Sequence, residues 1–198
     1  MSKKTKSNHP QLAYVLRVSI KESRPSIWRK LSVPAGCTLG DLHTILQIAF
    51  DWDNAHLHVF TVNSARYGVM DADFDYWDDM TDEDSVCLYD LKLQPKQKFS
   101  YLYDFGDSWE HEISVSKIIP PGEEKWDLTR PRCLGGRRAA PPEDSGGVWG
   151  YESMLETVKD PNHEEYNYIN EWLGEFDPDY ISVEEINACL EQAFKSGR

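Results

Sequence analysis

Nitrogen and oxygen donors gather around one turn of the chain. The stretch Phe99 to Ile119 reads FSYLYDFGDSWEHEISVSKII and carries Asp104, Asp107 and His111 within a few residues of each other. Upstream, His56 and His58 are two apart in a run of strand character, so both rings project to the same side. Imidazole and carboxylate donors of this kind hold zinc, manganese or iron. One reading is therefore a divalent-metal site on His56, His58, Asp104, Asp107 and His111, serving a metal-dependent hydrolase. The other is structural: the histidines pack beside Phe60 and Val62 and hydrogen-bond the turn carboxylates, a common way of satisfying two buried polar groups.

Three further sets of residues have chemical potential. Glu143 and Asp144 follow Pro141-Pro142 and suit either an acid–base pair or a cap for the helix after them. Cys133 is a nucleophile in principle, but nothing in the sequence places an activating base beside it. Asp71, Asp73, Asp75, Asp79 and Asp82 imitate positions 1, 3, 5, 9 and 12 of a calcium loop. Tyr76 stands where the sharp turn of such a loop needs glycine, so a solvated acidic loop is the reading for 71–84. The candidate ligand-binding set is Asp104, Asp107, Trp109, His111, Cys133, Glu143 and Asp144. No catalytic set is complete, and a binding or accessory domain is the leading reading.

The elements that must position these residues follow from periodicity. Phe99, Tyr101 and Tyr103 share one strand face before the turn, and Trp109, His111, Ile113 and Val115 share one after it. Asp104 to Ser108 supply turn chemistry between the two runs. His111 is thus expected to be buried, with Asp104, Asp107 or a carboxylate of the following loop as its partner. An earlier hairpin is predicted from the alternation of Leu12, Tyr14, Leu16, Val18 and Ile20 and from Ile27 to Val33. Thr38 and Asp41 form a capping-box pattern ahead of a helix with Leu39, Leu42, Ile45, Leu46, Ala49 and Phe50 on one face. His56 to Val62 and Arg66 to Val69 read as strands, and Pro120 to Gly147 as a long irregular loop of the kind that binds or covers ligands.

Beyond Trp149 the pattern turns helical, with Tyr151, Met154, Leu155 and Val158 in one stripe. A second helix is predicted from Asp160-Pro161 to Gly174. Ser182 and Glu185 open a last one, with Ile186, Cys189, Leu190 and Phe194 inward. The fold class is α+β: an antiparallel sheet built from hairpins, packed by one amphipathic helix and a helical C-terminal third. Residues 1–10 read as a flexible tail, 11–198 as one domain, and 148–196 as its helical segment.

The totals narrow the function classes. The 198 residues carry 34 acidic and 21 basic side chains, a formal net charge of -13, which opposes binding to phosphate backbones. Cys37, Cys87, Cys133 and Cys189 form no CxxC pair and suit free thiols in a reducing cytoplasm. No run approaches the roughly 20 apolar residues that span a bilayer. A protein or small-molecule ligand is the expected partner class, with neither nucleic acid nor membrane. A divalent metal is the one cofactor these donors suit.

The spans SRPSIWRKLSVPAGCTLGDLHTILQIAFDWDNAHLHVF, YLYDFGDSWEHEI, PRCLGG, PPEDSGGVWGYE and EWLGEFDP, in this order, resemble the plasmid pRiA4b ORF-3-like family. The resemblance covers residues 11 to 192 and implies a small α+β domain of unassigned activity, in a family associated with plasmids and transposons. Relatives often carry three cysteines in the long loop; here Cys133 stands, while Ala140 and Ser145 occupy the other two places, so no thiolate metal cluster is expected. Some relatives bear a resolvase label. Recombinases attack phosphate with a Ser or Tyr among several arginines. Arg130, Arg132, Arg137 and Arg138 lie together in one loop apart from Tyr103 and Ser108, and no DNA-reading helix pair is evident, so resolvase chemistry is not expected.

Overall fold

The computed structural model describes residues 11–70, 79–124 and 127–195. In chain order the elements are β1 (Ala13–Ile20), β2 (Trp28–Pro34), α1 (Leu39–Phe50), β3 (His58–Val62), β4 (Ala65–Gly68), β5 (Met80–Asp82), β6 (Lys98–Tyr103), β7 (Trp109–Ile119), β8 (Arg132–Arg137), α2 (Gly147–Thr157), α3 (Tyr166–Leu173) and α4 (Val183–Ala193). The β1–β2 and β6–β7 hairpins join because β1 also pairs with β7, giving an eight-stranded sheet in the order β5-β4-β3-β6-β7-β1-β2-β8. The class is α+β as the periodicity predicted. The sheet departs from the purely antiparallel expectation at its edge, where β4 and β5 run parallel. A parallel neighbour cannot be joined by a two-residue hairpin, so this pair is not part of a β-hairpin.

Helix α1 lies where its apolar stripe requires. Thr38 accepts the Asp41 amide while the Asp41 carboxylate accepts the Thr38 amide, a complete capping box. All six apolar residues of the stripe are buried against Tyr14, Leu16, Val18 and Ile20 of β1 and Phe99, Tyr101 and Tyr103 of β6. The other sheet face carries a smaller cluster of Ala13, Val15, Ile119 and Leu128. Leu128 comes from the long loop after β7, which covers this face.

That loop is less irregular than expected. Its middle forms β8, which pairs with β2 at the sheet edge through Trp28–Arg137 and Leu31–Cys133. The glycines of RCLGGR and the flanking prolines hid this strand from a propensity reading. The helix expected from Asp160 begins only at Tyr166: the Asp160 carboxylate accepts the Asn162 amide and closes a turn instead. Cys189 faces solvent and not the core, while Leu190 of the same helix is buried. Asp71, Asp73, Asp75 and Tyr76 of the calcium-like pattern lie outside the described residues. Asp82, within them, caps a single 3-10 turn, Glu83–Ser85.

One buried cation ties these layers together. Arg29 on β2 is only 3% exposed. Its Nε donates to the Ala49 carbonyl at 2.7 Å, at the end of α1, and Nη1 donates to the Arg138 carbonyl at 2.9 Å beyond β8. The guanidinium rests on the Phe50 ring at 5.0 Å. Burial pushes its pKa down to about 10, so it stays charged at neutral pH. A helix C-terminus holds partial negative charge that favours such a cation. Arg29→Lys keeps the charge but loses the planar fork, and a point ammonium cannot span both carbonyls. Urea unfolding should show the variant less stable by about 1.5–3 kcal/mol, the worth of a hydrogen bond to a charged group. An unchanged midpoint would show that the clamp is dispensable.

Candidate functional site

The floor of the site is a polar layer between α1 and β6. Tyr101 points inward from β6 and accepts the Gln47 amide at 3.0 Å. Its hydroxyl must then donate, and it does so to His43 Nδ1 at 2.8 Å. The opposite nitrogen of His43 donates to the Asn54 side-chain oxygen at 2.7 Å, and the Asn54 backbone amide returns to the Gln47 side-chain oxygen at 3.0 Å. These four residues close a ring in which each group has its partner. Burial, and the His58 ring stacked 3.5 Å away, push the pKa of His43 down to about 3, so it is neutral as the ring requires. His58 donates to Glu83 at 2.7 Å, with both side chains almost wholly buried.

Above this floor the turn between β6 and β7 meets the segment 141–147. Asp104 takes a left-handed conformation at φ 55°, which aspartate tolerates better than most residues. Its Oδ1 accepts the Gly106 amide at 2.8 Å, and its backbone carbonyl accepts the Ser108 amide at 2.7 Å. Asp107 Oδ2 reaches across to the Gly146 amide at 2.9 Å. Gly147, at φ 69°, lies so close under the Asp107 carbonyl that any Cβ would collide with it. Tyr103 accepts the Ala55 amide and donates to Glu143 in a short hydrogen bond. Burial first, and then Glu143, push the Tyr103 pKa up. Trp52 stacks on Tyr103 and donates its indole N–H to the Pro141 carbonyl at 2.9 Å.

His56, just before β3, sits between two carboxylates brought from these two segments. Its Nδ1 is 3.7 Å from Asp104 Oδ2, and its Nε2 is 3.5 Å from Asp144 Oδ1. One donor atom from each of His56, Asp104 and Asp144 lies within 4.8 Å of the others.

Of the seven candidate ligand residues, Asp104, Asp107, Glu143 and Asp144 converge here. Glu143 and Asp144 do not cap the next helix, whose N-cap is Gly146. Trp109 and His111 lie beneath, fully buried, and shape the floor without reaching solvent. Cys133 is on β8 with its thiol directed to the Gly135 carbonyl, three strands from β7 and His111. Burial pushes its pKa up, the reverse of what a nucleophile needs.

The five-residue metal set is not assembled. His58 is committed to Glu83, Asp107 to Gly146, and His111 donates to the Trp109 carbonyl at 2.9 Å. The strand pattern correctly placed His111 inside, but its partner is a backbone carbonyl and not a carboxylate: Asp104 is turned to the Gly106 amide and His56, and Asp107 to the Gly146 amide. Its Nε2, on the side of Tyr101, has no partner in hydrogen-bond geometry. His43, Asn54, Tyr103 and Glu83 went unrecognised as site-forming residues. Periodicity assigned His43 to no face and Tyr103 only to the core, and Glu83 was one acid among many.

A family model described as plasmid pRiA4b ORF-3-like protein matches residues 12–185. The chain belongs to this family. An uncharacterized protein, y4hQ of Sinorhizobium fredii, is 36% identical over 166 residues, 83% of this chain and 82% of that protein. The crystal structure of MM3350 from Methanosarcina mazei Go1, a protein of unknown function, is 40% identical with a TM-score of 0.76, covering 88% of this chain and 97% of that one. Family membership thus carries the fold without an activity. Among the described residues no helix is long and apolar enough to cross a membrane.

The buried histidines set an acid dependence. The folded pKa of His111 is lowered to about 4 by burial and that of His43 to about 3, against an ordinary 6.5. Below pH 6.5 the unfolded chain takes up protons that the folded chain refuses, so this stability is complete above 6.5 and is lost as pH falls toward 4 and below. Each histidine contributes a slope of about 1.4 kcal/mol per pH unit in that window. Denaturant midpoints of His111→Leu measured from pH 7 to 4.5 should fall less steeply than wild type, by about one histidine's share. Parallel slopes would mean His111 is protonated or exposed in the folded state.

Proposed function

We propose that the chain is a cytoplasmic binding domain whose recognition surface is the junction of the Asp104–Ser108 turn and the Pro141–Gly147 segment, and that its ligand is cationic. One observation carries this reading: Asp104, Asp107, Glu143 and Asp144 meet at one end of the sheet, and His56 is the basic side chain that the described ion pairs bring to them. Phe105 in the turn, Leu57 next to His56 and Trp149 just past Gly147 are 41%, 45% and 77% exposed, which supplies apolar surface. Aromatic faces beside carboxylates favour ammonium and guanidinium groups. The acidic balance of the whole chain weighs against nucleic acid as the partner. An accessory role beside a mobile element is the setting that the family's plasmid description supports.

A metal-dependent hydrolase is the second reading. It is favoured by the proximity of His56, Asp104 and Asp144, in place of the larger set that the sequence suggested.

Nuclear magnetic resonance with small charged fragments tests the surface. Alkylammonium and guanidinium fragments should shift amides of 104–108 and 143–150, and carboxylate fragments of the same size should not. Shifts concentrated instead in the cleft between β8 and α4, lined by Arg130, Arg132 and Asn187, would overturn the assignment. Steady hydrolysis of a generic phosphate or carboxylic ester by purified protein, lost in Asp144→Asn, would favour the hydrolase.

A further inference from the structure

We infer that His56, Asp104 and Asp144 bind one divalent transition-metal ion, leaving its remaining coordination positions open. This deepens the cationic-ligand reading and rests on it. An imidazole with a buried nitrogen that has no hydrogen-bond partner lies between two carboxylates. That nitrogen is His56 Nε2, which is shielded from solvent. Asp104, only 7% exposed, uses Oδ1 for the Gly106 amide, while its Oδ2 faces His56 Nδ1 at 3.7 Å, beyond hydrogen-bond reach. A charge-assisted hydrogen bond would close to about 2.7–2.9 Å. An imidazole gives a single ion only one of its nitrogens, and with one donor atom taken from each residue the three lie within 4.8 Å of one another. Donors each about 2.0–2.2 Å from a shared ion lie roughly 3–3.5 Å apart. His56 Nε2 and Asp144 Oδ1, 3.5 Å apart, are at that limit, and Asp104, on the Nδ1 side of the ring, must swing toward Nε2 to complete the set.

The donor types select the class of ion. Two carboxylates and an imidazole suit Mn²⁺, Fe²⁺ or Zn²⁺, whereas all-oxygen shells suit Ca²⁺ and Mg²⁺. The backbone presets the carboxylates: Asp104 and Asp144 both sit in the left-handed region, at φ 55° and 59°. The Asp144 carboxylate is 77% exposed, so the ion would have an open side toward solvent. The other close imidazole–carboxylate contact, His58 with Glu83, offers no such opening, since it is buried and stacked against His43.

The test uses the full chain, freed of any affinity tag, stripped with a chelator and dialysed. Mn²⁺ is titrated in and followed by electron paramagnetic resonance, and Zn²⁺ by calorimetry. One equivalent should bind to wild type. Asp144→Asn, which keeps the side-chain shape and tolerates the left-handed backbone, should weaken binding about tenfold or more while the metal-free melting temperature is unchanged. His56→Gln should do the same, and Glu112→Gln, on the solvent face of β7, should bind as wild type does. Sub-stoichiometric binding by wild type, or undiminished binding by Asp144→Asn, would overturn the inference. If no metal binds but alkylammonium fragments still shift 104–108, the metal inference falls and the cationic surface stands. If metal binds and those fragments shift nothing, the organic-cation reading falls and the metal site stands.

Discussion

Everything at the candidate site depends on the close approach of two backbones. Gly147 lies under the Asp107 carbonyl with no room for a side chain, and the Asp107 carboxylate holds the neighbouring Gly146 amide. This contact joins segments about forty residues apart and so brings Glu143 to Tyr103 and Asp144 to His56. Glycine is the residue that allows both the positive φ and the approach. Without it, the turn would carry Asp104 and Asp107 alone, and the gathering of four carboxylates would not form.

The polar floor explains why the contact has a fixed geometry. Burying His43, Tyr101, Gln47 and Asn54 would be costly if any were left unpaired, but their ring satisfies each with a defined donor direction. Such a network tolerates one arrangement of α1 against β6, and Trp52 transmits that arrangement to the loop through Tyr103 and Pro141. Arg29 holds the far end of α1 to β8 in the same way, by several backbone carbonyls at once. The site is therefore placed by directional bonds laid over an apolar core.

Periodicity made much of this fold legible. The faces of β6 and β7, the capping box at Thr38 and the buried stripe of α1 all follow from local pattern, because each depends on residues within a turn or strand of one another. What depends on distant partners was not legible. β8 was hidden among glycines and prolines, since its reason to be a strand is the exposed edge of β2. The parallel β4–β5 pair is likewise a pairing that no local signal shows. At the site, the sequence offered the right turn carboxylates but mixed them with His58 and His111, which the strand pattern places on the buried face. Asp144 was legible as a candidate, yet only the loop's return could pair it with His56. The His58–Glu83 contact, joining β3 to a 3-10 turn, had no sequence signature among so many acids.

The central claim is that the turn and the loop form one unit built on the glycine contact. Amide hydrogen exchange on Gly147→Ala tests it most directly. The account predicts that the amides of Gly106, Ser108 and Gly146, each hydrogen-bonded within the unit, lose protection together, while the β1–β7 ladder keeps its own. Protection unchanged at Gly146 and Ser108, with the alanine accommodated, would contradict it.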